Sequence, residues 1–164
     1  MNHTLDEFID ALRVELQQYG ELLALIDQQQ EHLMRRSAED VLASVGSIHA
    51  QSGQVQAARA ARAECLLNLA LSLSLPPDGL ISSVLVALPV QRRPQVEALV
   101  EENNRLLKKI QQRGRQNHLL LAHSIEHMSR LLQTLMGVGR GMVYDEGGGV
   151  LSPGVRQGLY EAVG

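Results

Sequence analysis

The stretch His123-Ser-Ile-Glu-His127 places two histidines four residues apart with a glutamate beside the second. On a helix such a pair shares one face, about 5–6 Å apart at Cβ, so both rings could touch one ion. With the glutamate as base this is the H-x-x-E-H arrangement of zinc hydrolysis. A catalytic zinc also needs a third protein ligand and an open coordination position in a lined cleft. In that class the third ligand is a glutamate well downstream on another helix. Only 37 residues follow His127, and Glu146 and Glu161 are the only glutamates among them, both in a glycine-rich run. The expectation is two ordinary histidines on a helix surface, with no metal, no cofactor and no catalysis.

Other candidates for chemistry dissolve in the same way. "GVGRG" and "GGG" lack the strand before and the helix after that a phosphate cradle requires, and no G-K-S/T appears. Arg35, Arg36, Arg92 and Arg93 read as solvated charges beside turns. No set of nucleophile, base and orienting group can be assembled. Cys65 is the single cysteine, so an internal disulfide is excluded and a reducing, cytosolic compartment is expected. A net charge of −3 and only 2% aromatic residues remove both the basic footprint and the stacking rings of nucleic-acid binding. The acidic N-terminus does not read as a signal peptide. The longest apolar run, Leu66 to Leu75, is far short of the roughly 20 residues of a membrane span.

What would position such residues is a set of helices. The chain has 164 residues, enough for one domain, and is 45% apolar, chiefly Leu, Ala and Val. From Thr4, expected as an N-cap, to about Met34, apolar residues fall at Leu5, Ile9, Leu12, Leu16, Tyr19, Leu23, Ile26 and Leu33. Spacings of four and three sustained over four heptads predict a straight helix with one seam. Ser37 and Asp40 resemble a capping box for a second helix from Ala38 to about Leu75. Its seam is expected at Val41, Val45, Ile48, Val55, Leu66, Leu69 and Leu73, with Arg59 and Arg62 along the edge. Pro76 and Pro77 end it. "LISSVLVAL" predicts a short helix, and Pro94 opens a long one that reaches about Met136.

Asn103, Asn104 and Asn117 in that last helix either set register in a seam or sit exposed. From Leu119 the apolar face widens into two stripes, one through Leu120 and Leu131 and a second through Leu121, Ile125, Met128, Leu132 and Leu135. A helix with two apolar stripes must bury both or keep one for a partner. Met128, Met136 and Met142 cluster there, and flexible thioethers suit adaptable surfaces. The last 28 residues hold 9 of the 14 glycines. The expected fold is all-α: an antiparallel bundle of three long coiled-coil-like helices with one short connecting helix. Residues 1–136 form the bundle and 137–164 a flexible tail carrying apolar docking residues.

The order of these parts resembles the FlgN family of flagellar export chaperones. The resemblance rests on "LRVELQQYGELLALIDQQQEHL", "ARAARAECLLNLALSL", "RQNHLLLAHSIEHMSRLLQTLMG" and the short "MVYDEGG" after it. It implies a bacterial cytoplasmic chaperone for the hook-associated proteins FlgK and FlgL that delivers them to the export gate protein FlhA. Carried over by position, the substrate-binding residues would be Leu121, Ile125, Met128, Leu132, Leu135 and Met136. The export-gate contact would be Tyr144 with Gly147. Val143 precedes that tyrosine where the family more often has Thr, and the chain continues well beyond it. A reading from another class stays open beside this one: a structural coiled-coil or homo-oligomeric scaffold. A homodimer is compatible with either.

Overall fold

The computed structural model describes residues 2–76 and 81–136. Four helices occur among them: α1 (Asn2–Met34), α2 (Ala38–Ser72), α3 (Ile81–Ala87) and α4 (Arg93–Leu135), with no strand. The all-α expectation holds, with three long helices and a short connector. The chain divides into two compact units, Met1–Ala122 and His123–Gly164.

Helix α1 already includes Thr4, so that residue is not a cap; its hydroxyl lies 3.3 Å from the Ser72 hydroxyl of α2. The turn into α2 is a Schellman closure. The Ser37 N–H donates to the His32 carbonyl and the Arg36 N–H to the Leu33 carbonyl, with Arg36 left-handed at φ 58°. The expected capping box is incomplete: the Ser37 hydroxyl donates to the Asp40 carboxylate at 2.5 Å and caps no backbone N–H. Helix α2 ends three residues before the expected boundary in a second Schellman closure. There Ser74 takes φ 57°, and the Leu75 and Ser74 N–H groups donate to the Ala70 and Leu71 carbonyls.

Contacts between α1 and α2 fall in opposite order along the two helices, from Thr4 with Ser72 to Gln29 with Ser44, so they run antiparallel. Against α1, α4 runs parallel. The Asn103 side-chain amide donates to the Leu12 carbonyl, and Asn117 donates to Ile26, two heptads further along both helices. Ion pairs of Asp6 with Arg92 and Asp27 with Arg113 keep the same sense three heptads apart. Arg92 and Arg93 are therefore not idle connectors. Arg93 donates to the Val86 and Leu88 carbonyls, closing the end of α3.

The densest core joins the start of α1, the end of α2, α3 and the start of α4. Leu5, Phe8, Ile9, Leu12, Leu69, Val84, Leu88 and Val96 are buried there. A smaller cluster of Tyr19, Leu22, Ile26 and Val55 follows, flanked by Ile48, Leu106, Leu107 and Ile110. Because α1 serves two neighbours, its buried face includes Phe8, Glu15 and Leu22 beside Leu5, Ile9, Leu12, Tyr19, Ile26 and Leu33 of the predicted seam, whereas Leu16 and Leu23 are only half-buried. In α2 the expected seam is corrected at its first half. Val45 is 51% exposed, and Ser44 is buried in its place.

Candidate functional site

Every described residue beyond Asn117 is exposed, including Leu119, Leu120, Leu121, Ile125, Met128, Leu131, Leu132, Leu135 and Met136. Both predicted apolar stripes of the last helix therefore face outward. In the unit His123–Gly164, Ile125, Met128, Leu132 and Met136 succeed one another at intervals of three and four. They line one shallow concavity together with Ser129 and Gln133. Four of the six predicted binding residues are thus brought together. Leu135 is exposed but does not line that concavity, and Leu121 falls in the other unit. Ser129 and Gln133 escaped a search for apolar residues. Their signal is positional, since each lies four residues from the last along the Ile125 edge.

The strip is apolar apart from the Ser129 hydroxyl and the Gln133 amide. Its titratable neighbours are the exposed His123 and His127 and an ion pair of Glu126 with Arg130 at 2.5 Å. Among the described residues no group of three His, Cys, Asp or Glu side chains is placed to hold a metal. Glu146 and Glu161 lie outside the described residues, as do Met142, Tyr144 and Gly147. The same holds for the tail expected over 137–164.

Elsewhere two titratable groups, Glu15 and Cys65, pack against the interior. Glu15 is 3% exposed. It accepts the Tyr19 hydroxyl at 2.9 Å, and Arg62 Nε of α2 lies 2.6 Å from its other oxygen. That second contact lacks hydrogen-bond alignment and is electrostatic. Burial, then the hydrogen bond to Glu15, pushes the Tyr19 phenol up to about 12. Cys65 packs at the edge of the larger core, and burial raises its thiol with help from Glu7 and Glu64. A thiol so raised is a poor nucleophile.

Asn103 and Asn117 settle the open question of the polar residues in α4. They are 6% and 4% exposed, whereas Asn104 faces solvent. Two of the three asparagines sit in the seam with α1.

The family model described as FlgN protein matches residues 1–151. The chain belongs to the FlgN family. This is the flagellar export chaperone family, and the match covers all the described helices and extends past Tyr144 and Gly147. Residues 152–164 lie beyond it. No curated protein matches the chain, and no solved structure does. Among the described residues no helix is long and apolar enough to cross a membrane.

Proposed function

We propose that this FlgN-family chain is a cytoplasmic bacterial chaperone that covers the amphipathic C-terminal segments of the hook-associated proteins FlgK and FlgL. It hands them to the export gate protein FlhA. The observation that carries the reading is the strip of Ile125, Met128, Leu132 and Met136, all exposed on one face of α4. A terminal amphipathic segment of an export substrate leaves its apolar face in water until it assembles. A second helix face lined with Leu, Ile and Met accepts such a segment by helix-in-groove contact, at intervals of three and four on both sides.

The composition of the strip suits a temporary complex. Methionine thioethers repack against more than one sequence. A single exposed strip buries little area, which favours release without an energy source. Leu135 flanks the strip in sequence and would extend it for a longer ligand, while Leu121 is carried over from the family resemblance alone. The gate contact is assigned to Tyr144 and Gly147, which lie within the part of the chain that the family match covers. On this reading residues 1–136 hold the substrate and 137–164 address it to the gate. No nucleotide, metal or other cofactor takes part.

The test is calorimetric titration of the full chain with a peptide from the C-terminal end of the host's FlgK, repeated with FlgL. Binding at one-to-one stoichiometry and micromolar or tighter affinity is expected, and Leu132→Asp abolishes it. If neither peptide binds, the assignment of both substrates falls. If binding is unaffected by Leu132→Asp, the strip is not the binding surface.

A further inference from the structure

The family match stops at residue 151, and the sequence that follows it, "SPGVRQGLYEAVG", has a pattern of its own. Ser152 before Pro153 is a helix-opening pair: a capping hydroxyl, then a residue whose missing N–H costs nothing in the first turn. Val155, Leu159, Ala162 and Val163 follow at helical spacing, which gathers them on one side of such a helix. Gln157 and Glu161 fall opposite. Eleven residues from Pro153 to Val163, two of them glycine, are too few to hold a helix alone in water, where about 12–15 are needed. A segment with this pattern needs an apolar surface to fold against.

We infer that residues 152–164 are the strip's own occupant: Val155, Leu159 and Val163 pack along Met128, Leu132 and Met136 as a short helix, which a substrate has to displace. Both partners belong to the same compact unit, His123–Gly164. The described residues of that unit offer apolar side chains in plenty: Ile125, Met128, Leu132 and Met136 are each about half exposed or more. The lengths agree, since Val155 to Val163 and Met128 to Met136 each cover eight residue steps, about 12 Å of helix. Residues 137–151 connect the two. A glycine-rich chain of that length spans about 20 Å as a coil, whereas packed helices lie about 8–10 Å apart.

The contact is built to be lost. A tether of this length gives the segment an effective concentration in the millimolar range, so even a weak contact covers the strip in most molecules. The open strip described above is the other state of that equilibrium, and a ligand that binds only the open state shifts the population toward it. Ala162 and the two glycines give the segment less apolar surface than a Leu- and Ile-rich substrate helix would bring. Covering the strip lowers the apparent affinity for substrate by the fraction of chains left open. The inference rests on the strip being a binding surface and not on which protein it serves.

The experiment measures the fluorescence of anilinonaphthalene sulfonate, which reports open apolar surface, with the full chain and with Leu159→Asp, Leu132→Asp and the double variant. Position 159 lies outside α1 to α4. Leu159→Asp should raise the signal about twofold or more, and Gln157→Asp should not. Leu132→Asp should lower it, and adding Leu159→Asp to that variant should change nothing further. In calorimetric titration with the FlgK peptide, Leu159→Asp should tighten binding about threefold or more. A dye signal indifferent to Leu159→Asp overturns the inference. An equal rise in the Leu132→Asp background overturns it too, because the segment then covers a different surface, and so does a bound peptide whose affinity Leu159→Asp leaves unchanged. If neither the FlgK nor the FlgL peptide binds while the dye pattern holds, the substrate assignment falls and the intramolecular contact stands.

Discussion

The Nδ2 of Asn117 donates to the Ile26 carbonyl at 2.8 Å, across a sequence separation of 91 residues. Asn103 repeats the contact with Leu12 at 3.1 Å and the same separation. Two polar side chains at equivalent heptad positions thus hold α4 and α1 in one parallel register. Sliding either helix by a turn would strand both amides among apolar side chains, at a cost of a few kcal/mol. The price of this specificity is visible in the same residues, since Oδ1 of each asparagine is buried without a partner among the described residues.

Replacing Asn117 with Asp removes the donor and sets a carboxylate against the Ile26 carbonyl. Urea unfolding should show a loss of about 2–4 kcal/mol. Asn117→Leu should be neutral or mildly stabilising, because the Ile26 carbonyl retains its place in the α1 backbone ladder. Equal losses in the two variants would show that the amide contact does not set the energetics of the site.

Arg62 neutralises a carboxylate that has almost no access to water. Arg62→Ala strands Glu15 and should cost about 3–5 kcal/mol. Replacing both residues with leucine should recover most of that loss. A double-mutant cycle in urea decides it, and additive single effects would show that the two residues do not interact.

Tyr19 supplies a pH dependence. Its folded-state pKa is raised from 10.0 to about 12, so the folded chain keeps the proton that the unfolded chain gives up. The resulting stability is complete below about pH 10 and is lost as pH rises toward 12. Tyr19→Phe should flatten that decline relative to the wild-type chain, by about 2 kcal/mol across the window. Chemical denaturation at a series of alkaline pH values reads the difference. Parallel declines in the two proteins would exclude Tyr19 as their source.

Both Schellman closures place a residue with a Cβ in the left-handed region, Arg36 at φ 58° and Ser74 at φ 57°. Glycine bears that conformation without the steric penalty. Arg36→Gly and Ser74→Gly should each raise the stability by about 0.5–1 kcal/mol, which thermal melts can resolve. A fall in melting temperature would mean that the arginine or serine side chain contributes more than its backbone strain removes.

Leu132→Asp, the variant that should abolish peptide binding, should leave the fold intact. Its side chain is half exposed, so the change in unfolding free energy should stay within about 0.5 kcal/mol. A loss of several kcal/mol would place Leu132 in a core and remove it from the binding strip.

Much of α1 could be read directly from its letters, because Leu5, Ile9, Leu12, Tyr19, Ile26 and Leu33 follow one apolar seam and all are buried. Phe8 and Leu22 were missed because a single seam describes a helix with one neighbour, and α1 has two. In α2 the apolar rule chose Val45 over Ser44, since the inner surface there is polar and matched by polar residues of α1. Ser44 accepts from Gln29, and Gln51 donates to the Gln18 backbone and side chain. Periodicity finds buried residues through their hydrophobicity, so buried polar partners are invisible until the second helix is in place. The strip at the end of α4 was readable for the opposite reason: too many apolar residues followed Leu119 for one seam to absorb.

The parallel register of α1 and α4 also orders events during folding. Helices α1 and α2 meet through a three-residue turn, so their pairing closes a short loop and can begin early. The asparagine contacts close a loop of 91 residues. That closure costs more entropy and waits on nearly everything between. On the ribosome, the side of α1 that α4 covers is synthesised first and sheltered last. The polar carbonyl sites at Leu12 and Ile26 then distinguish the correct late arrival from any other apolar helix that reaches the open hairpin.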